Sequence, residues 1–299
     1  MWLAFAFLSA VLLGFYDVSK KHSLRGNAVV PVLFLNTLFC SVIFLPLAFH
    51  APFGGWAVQR YILLKACIVL SSWLLGYIGI KHLPITIVGP INATRPVLVL
   101  VGALLVFGER LNLWQWAGVL LAVLSFFLLS RSGKKEGIDF RHDRWIYCTV
   151  GAAVLGAVSG LYDKYLLAAD GGLGLPRLTV QCWYNFYQMG MMGIMWIVQW
   201  WLTCKKDAPQ MSSSLVELRF QWRWSILLIS VFLSVADYVY FYSLSLDGAL
   251  ISVVSMVRRG SVLVSFMLGA LLFHEKNLRS KAIDLALVLL SMVLLWLGS

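Results

Sequence analysis

Charge is what this sequence has least of. Asp, Glu, Lys and Arg make up 12% of its 299 residues, against 61% hydrophobic residues, and the mean hydropathy is +0.84. Soluble domains carry about 25% charged residues, so the polar surface of a globule is missing and most of the chain belongs in lipid. Acidic residues are the scarcer sign: 13 Asp and Glu stand against 24 Lys and Arg, a net charge of +11. In a soluble protein that excess would suggest nucleic acid. Here the basic residues fall in short gaps between apolar runs and form no long stripe or recognition motif, so no nucleic-acid partner is expected.

Metal and redox chemistry are equally thin. The five cysteines, Cys40, Cys67, Cys148, Cys182 and Cys204, are odd in number and show no CxxC or ligand-like spacing. Most lie inside apolar runs, where cysteine packs as a small hydrophobe. The sequence holds no Walker motif, zinc spacing or nucleophile elbow. No catalytic residue, metal or cofactor is expected, and the chain does not read as an enzyme. The first residues, Met1 to Leu13, lack the basic region and small-residue cleavage site of a signal peptide, and read as a retained helix.

What the sequence does have is long apolar runs, at about 2–19, 29–49, 61–80, 84–107, 113–130, 145–168, 176–202, 224–245, 248–273 and 282–298. Crossing a ~30 Å hydrocarbon core takes about 20 residues in a helix. Open sheet edges cannot be satisfied in lipid, and a barrel would need alternating runs of about 10 residues. The fold expected is therefore all-α, a polytopic membrane protein with ten transmembrane helices. A polar stretch from Arg131 to Arg144 divides the chain near its middle, and a second joins segments seven and eight. Alternate gaps are rich in Lys and Arg, sixteen in one set against about five in the other. The bias puts the central loop in the cytoplasm and both termini outside. Short loops and this bias fit a bacterial inner membrane.

The two halves repeat each other. Gly14-Phe15-Tyr16-Asp17 in segment one matches Gly160-Leu161-Tyr162-Asp163 in segment six. The run Val101 to Arg110, with Gly-Ala-Leu-Leu and then Glu109-Arg110, matches Leu268 to Lys276, with Gly-Ala-Leu-Leu and then Glu275-Lys276. Thr94-Arg95-Pro96 falls close to the position of Arg258-Arg259-Gly260, and Asn36 to that of Asn185. Five segments per half means that the second half enters the membrane upside down. Inverted repeats of this kind mark secondary transporters, with the substrate site near the midplane. The expected organisation is a first repeat at 1–133, a basic central loop at 134–144 and a second repeat at 145–299.

These features resemble the drug/metabolite transporter superfamily, in its EamA-like branch, over essentially the whole chain. The resemblance is clearest at 84–130 and 248–298. It implies a basket-shaped bundle around a central cavity, lined by helices three, four, eight and nine, and transport without ATP. It implies a small-molecule substrate, drawn from amino acids, nucleotide sugars, other metabolites or drugs, without naming one.

Charges at membrane depth are costly and so are functional candidates. Arg95, Arg258 and Arg259 each lie about eleven residues into their segments, too deep to snorkel at ~1.5 Å per residue. A guanidinium there must meet a cavity or a partner, and its planar fork suits carboxylate or phosphate. Arg258 and Arg259 are adjacent and point about 100° apart, so one of them is open to a structural role. Asp237, deep in Val-Ala-Asp237-Tyr238-Val-Tyr240-Phe-Tyr242, is a partner for an arginine or a proton site. Asp17 and Asp163 read as helix-end ion pairs with Lys20 and Lys164, or as coupling carboxylates. Tyr77, Tyr240 and Tyr242 are candidates for a polar aromatic wall, against lipid-facing or interhelical packing. Trp114, Trp116, Trp145 and Trp222 read as interface belts, and Glu109 and Glu275 as helix-end charges.

The leading expectation is a secondary transporter for an anionic or zwitterionic metabolite, working by alternating access, with proton or counter-solute coupling left open. The alternatives are a cation or drug exporter anchored on Asp237 or Asp17, and a membrane-embedded enzyme acting on lipid phosphate.

Overall fold

A computed structural model describes residues 2–95, 97–99, 102, 112–134, 142–167, 172–204, 220–245, 257–258, 260–273 and 278–297. With no water in the bilayer core, each backbone N–H must find its carbonyl within its own segment. Accordingly the described residues form ten helices and no strand: α1 (Trp2–Leu24), α2 (Val29–Ala48), α3 (Trp56–His82), α4 (Ile85–Ala93), α5 (Leu113–Lys134), α6 (Arg144–Leu167), α7 (Arg177–Cys204), α8 (Trp224–Ser245), α9 (Ser261–Phe273) and α10 (Leu278–Leu297). The chain is an all-helical, multi-pass membrane protein. By length and composition alone, Val29–Ala48, Trp56–His82 and Arg144–Asp163 are long and apolar enough to cross a bilayer, and Trp224–Tyr240 and Ser261–Phe273 are shorter apolar helices.

The outer face carries large exposed hydrophobics from many helices, among them Phe7, Val42, Leu120, Ile194 and Met267. In water such a surface would aggregate; against acyl chains it is matched. Trp114, Trp116, Trp222 and Trp224 are exposed near helix ends, as an interfacial belt requires. Trp145, at the start of α6, is half-buried. Its ring stacks on His82 at 3.6 Å between centroids, with Arg144 over it at 4.4 Å, which binds the end of α3 to the start of α6.

Without a hydrophobic driving force between helices, close packing and polar contacts hold the bundle together. At Gly14 a Cβ would fall 2.5 Å from Val264, so α1 and α9 approach through that glycine. Small hydroxyls cross between helices: Ser9 donates to the Ala236 carbonyl at 2.8 Å, Ser72 to that of Ala152 at 2.8 Å, and Ser41 to that of Asn185 at 3.1 Å. Ser230 donates to Asn36 Oδ1 at 3.0 Å, so Asn36 and Asn185 both serve interhelical contacts. The α1–α2 turn uses Gly26 at φ +79°, a backbone angle that favours glycine. Beside it the Asn27 amide donates to the Gln221 carbonyl at 2.9 Å, and the Asn27 carbonyl oxygen accepts from the Gln221 N–H at 2.7 Å.

The principal helix pairs are α1 with α8, α5 with α10, α3 with α6 and α2 with α7, followed by α1 with α9, α2 with α8, α4 with α9 and α3 with α7. Several helices outrun their apolar segments. α1 continues to Leu24 and α3 begins at Trp56. Asp17 therefore lies two turns inside α1, which corrects the expectation that it ends its helix, whereas Asp163 sits in the last turn of α6, as expected. α4 stops at Ala93, turns at Thr94, and helical backbone resumes at Arg95. Pro96 has no N–H to give the Asn92 carbonyl; its own placement lies outside the described residues, as do those of Glu109, Glu275 and Arg259.

Candidate functional site

Inside the bundle is a cavity of about 360 Å³, near the lower end of the ~300–1,000 Å³ range of small-molecule sites. Its wall includes Asp17, Tyr77, Arg95, Asp163, Asp237, Tyr240 and Arg258. Seven of the nine candidate residues thus meet around one space. Arg259 is outside the described residues. Tyr242 is brought elsewhere: it is 46% exposed, with its ring edge-on to Phe5. Tyr238, one turn before it, is 63% exposed, so that face of α8 points outward while Asp237 and Tyr240 point in.

One end of the cavity is built on α1, α3 and the segment after α4. Lys20 donates to Asp17 at 2.8 Å and lies over the rings of Tyr16 at 4.4 Å and Tyr77 at 5.4 Å. Arg95 comes from the resumed helix beyond Thr94. One guanidinium N–H reaches the Ala152 carbonyl at 3.4 Å, a long bond. Its Nε is buried with no partner among the described residues. Among the described residues no carboxylate stands at ion-pair distance from it. The guanidinium lies against Gly156 of α6, where a Cβ would fall 2.8 Å from Arg95 Cζ. Glycine is thus required at 156 for this arginine to take its place.

The other end is built on α3, α6, α7, α8 and the residues before α9. Lys65 pairs with Asp163, and its ammonium lies 5.1 Å from the Tyr184 ring. Arg258 pairs with Asp237 and stands 4.3 Å from the Tyr240 ring. Arg258 Nε has no partner among the described residues, nor does Asn92 Oδ1 on the cavity wall. The Tyr77 hydroxyl on the same wall is likewise unpartnered among the described residues; buried polar atoms are normally bonded, so two guanidinium N–H groups, one amide oxygen and one hydroxyl stand out on the wall.

The described wall therefore holds four cations, Lys20, Lys65, Arg95 and Arg258, and three carboxylates. Three pairs form, and Arg95 is the cation left over. Two of the four cations, Lys20 and Lys65, belong to the Lys and Arg residues that the charge bias counts toward the gaps between apolar runs. Lys20 sits four residues before the end of α1 and Lys65 nine residues into α3, and both are buried. The apolar residues Trp56, Ala57 and Val58 ahead of Arg60 were the signal that α3 starts earlier than position 61. The lining includes the expected helices three, four, eight and nine and extends beyond them. α1 supplies Asp17 and Lys20, and α6 supplies Gly156, Ser159, Gly160 and Asp163.

Residues 1–131 match the model of the EamA-like transporter family. A protein of Archaeoglobus fulgidus named an uncharacterized transporter is 27% identical over 134 residues, which are 42% of this chain and 47% of that protein. The chain thus spans about half the length of that curated relative. A crystal structure with 13% sequence identity aligns over 98% of this chain and 96% of its own at a TM-score of 0.62, which shows a shared fold and nothing about activity.

Proposed function

We propose, from the premise that residues 1–131 form an EamA-like transporter domain, that this chain is a secondary transporter. Its substrate is a small polar metabolite carrying at least one negative group, anionic or zwitterionic, bound in the central cavity. The observation that carries this reading is Arg95: a guanidinium inside the bundle, in a cavity where the three carboxylates among the described residues are each held by another cation. A planar donor fork left without its carboxylate is suited to a carboxylate or phosphate brought by a ligand. Arg258, with its own unpartnered Nε, and Tyr240 beside it extend the contact surface. The cavity volume favours a metabolite over a nucleotide sugar or a bulky drug.

The two halves would rock about this site as inverted repeats, 1–133 and 145–299. What supports this is the pairing of helices. Exchanging each helix with the one five places on turns the α1–α8 pair into α6–α3, and leaves α2–α7, α4–α9 and α5–α10 unchanged. Asp17 and Asp163 are then counterparts facing the same space, and Arg95 and Arg258 reach it from near α4 and α9, which are counterpart helices. Coupling runs through a proton or a counter-solute, and the membrane is the inner membrane of a bacterium.

The test is counterflow uptake into proteoliposomes. The panel holds amino acids, phosphorylated metabolites, dicarboxylates, nucleotide sugars and organic cations, with wild type and Arg95→Ala in parallel. Uptake of an anionic or zwitterionic solute that Arg95→Ala abolishes in a folded protein is the expected result. Uptake of cations alone, or unchanged uptake by Arg95→Ala, would overturn the proposal.

A further inference from the structure

A second cavity, of about 330 Å³, lies at the end of the bundle where α1 and α3 finish. Its described lining is divided by chemistry. Lys21 in the last turn of α1, Arg25 just past its end and Lys81 in the last turn of α3 form one side, and Leu272 and Phe273 of α9 the other. None of these five residues lines the central cavity. The Lys21 ammonium donates to the Ile80 carbonyl at 2.7 Å and to that of Leu83, which ties the end of α1 to the turn that follows Lys81. On the other side Leu272 is 59% exposed and Leu271 beside it 70%, so this wall faces acyl chains.

Three cations beside lipid-facing leucines select one kind of ligand. A soluble anion meets the cations and gains nothing from the apolar wall. A neutral lipid meets the leucines and gains nothing from the cations. An anionic phospholipid uses both: its phosphate lies among Lys21, Arg25 and Lys81, and its chains run along α9. Basic pockets between transmembrane helices on the cytoplasmic side seat such head groups. We infer that this cavity binds the phosphate head group of an anionic glycerophospholipid, in the leaflet that the Lys and Arg bias places on the cytoplasmic side. The inference goes beyond the transport reading and stands on the membrane fold alone.

The charge argument does not depend on which residues are described. The gaps that carry sixteen Lys and Arg hold six acidic residues: Glu136, Asp139, Asp143, Asp207, Glu217 and Glu275. With all six set against the sixteen, ten positive charges stay in excess on this side of the membrane. Glu275, two residues beyond Phe273, is followed by Lys276, so that stretch adds no net charge. Asp143 is engaged on its own helix, where it accepts from the Trp145 N–H at 2.9 Å. The seat also joins the two halves, with α1 and α3 from the first and α9 from the second. A ligand that binds the folded bundle and not the unfolded chain stabilises it, so the lipid holds these helix ends together.

The experiment uses the full chain, purified in detergent and stripped of lipid. Thermal unfolding is followed with added phosphatidylglycerol, phosphatidylcholine, glycerol 3-phosphate or inorganic phosphate, and native mass spectrometry counts the lipids retained. Phosphatidylglycerol should raise the unfolding temperature and stay bound, and the other three should do neither. Arg25→Gln/Lys81→Gln should weaken the apparent affinity for phosphatidylglycerol about thirtyfold, which is about 2 kcal/mol at 1.36 kcal/mol per tenfold, for two cations near an anionic head group. Arg223→Gln/Arg279→Gln removes the same charge from the same side outside the cavity and should bind as wild type. Arg25 is exposed, so Arg25→Gln alone keeps the fold and should lose about fivefold, which decides the matter if the double variant does not fold. Equal effects of phosphatidylglycerol and phosphatidylcholine, or equal losses in the two double variants, overturn the site. Equal stabilisation by glycerol 3-phosphate or inorganic phosphate overturns the lipid and makes the cavity a seat for a soluble phosphate.

Discussion

Replacing Gly156 with alanine should disable the site while leaving the fold intact. The Arg95 guanidinium rests on the bare backbone of α6, and a Cβ at 156 would stand 2.8 Å from Cζ and 3.0 Å from Nε and Nη1. Carbon atoms pack comfortably at about 3.5–4.0 Å, so the guanidinium must retreat by about 1 Å. The atom that moves is the far end of a flexible side chain, so the helices need not separate. A charge-assisted bond of about 2.8 Å lengthened by 1 Å is no longer a hydrogen bond. Bonds to charged groups contribute about 1.5–3 kcal/mol, which is a ten- to hundredfold loss of apparent affinity. Stability should hold or rise, because alanine is better than glycine in a helix by about 1 kcal/mol. Gly160 is the control. It lies one turn further along the same cavity wall, and a Cβ there meets only Val99 at an ordinary 3.7 Å. The assay is the concentration dependence of counterflow for both alanine variants, with thermal unfolding in detergent beside it. Equal affinities for Gly156→Ala and Gly160→Ala would refute the reasoning, as would a Gly156→Ala protein that fails only because it unfolds.

Two further outcomes follow from the wall. Asp163→Asn should destabilise the protein more than Lys65→Met, by about 2 kcal/mol against less than 1, because the first strands a lysine side chain only 8% exposed and the second a carboxylate 36% exposed. Thermal melts of both variants and of the double variant decide this, and equal costs for the two single changes would sink it. Tyr240→Ala should weaken transport, since the ring flanks Arg258 at 4.3 Å. Tyr242→Ala, on the outward face against Phe5, should leave transport unchanged; a defect confined to Tyr242→Ala would reverse the assignment of the two faces.

The class of this protein was legible before any coordinates. Too few charges to coat a globule, and apolar runs long enough to cross lipid, leave helices as the available architecture, because each backbone group must be satisfied within its own segment. The deep arginines and aspartates were legible too, since a charge in an apolar run has to face something other than lipid. Sequence pattern failed at the helix ends. Lys20 and Lys65 sat at the margins of their apolar runs and passed for loop charges, whereas a buried ammonium needs only a carboxylate and an aromatic face to be held inside a helix. Both are provided, by Asp17 with Tyr16 and by Asp163 with Tyr184.

Which charge pairs with which could be decided only in three dimensions. Asp163 and Lys65 are 98 residues apart in the chain, and Asp237 and Arg258 are 21 apart; no local period relates them. The same holds for the two tyrosines of α8, where Tyr240 turned inward and Tyr242 outward according to the rotation of one helix against its neighbours. It holds most for Arg95. The sequence determined that a guanidinium would lie deep in the fourth segment. Only the packing of α6 against it, through Gly156, and the prior claim of three other cations on the three carboxylates of the described wall, left that guanidinium without a counterion among the described residues.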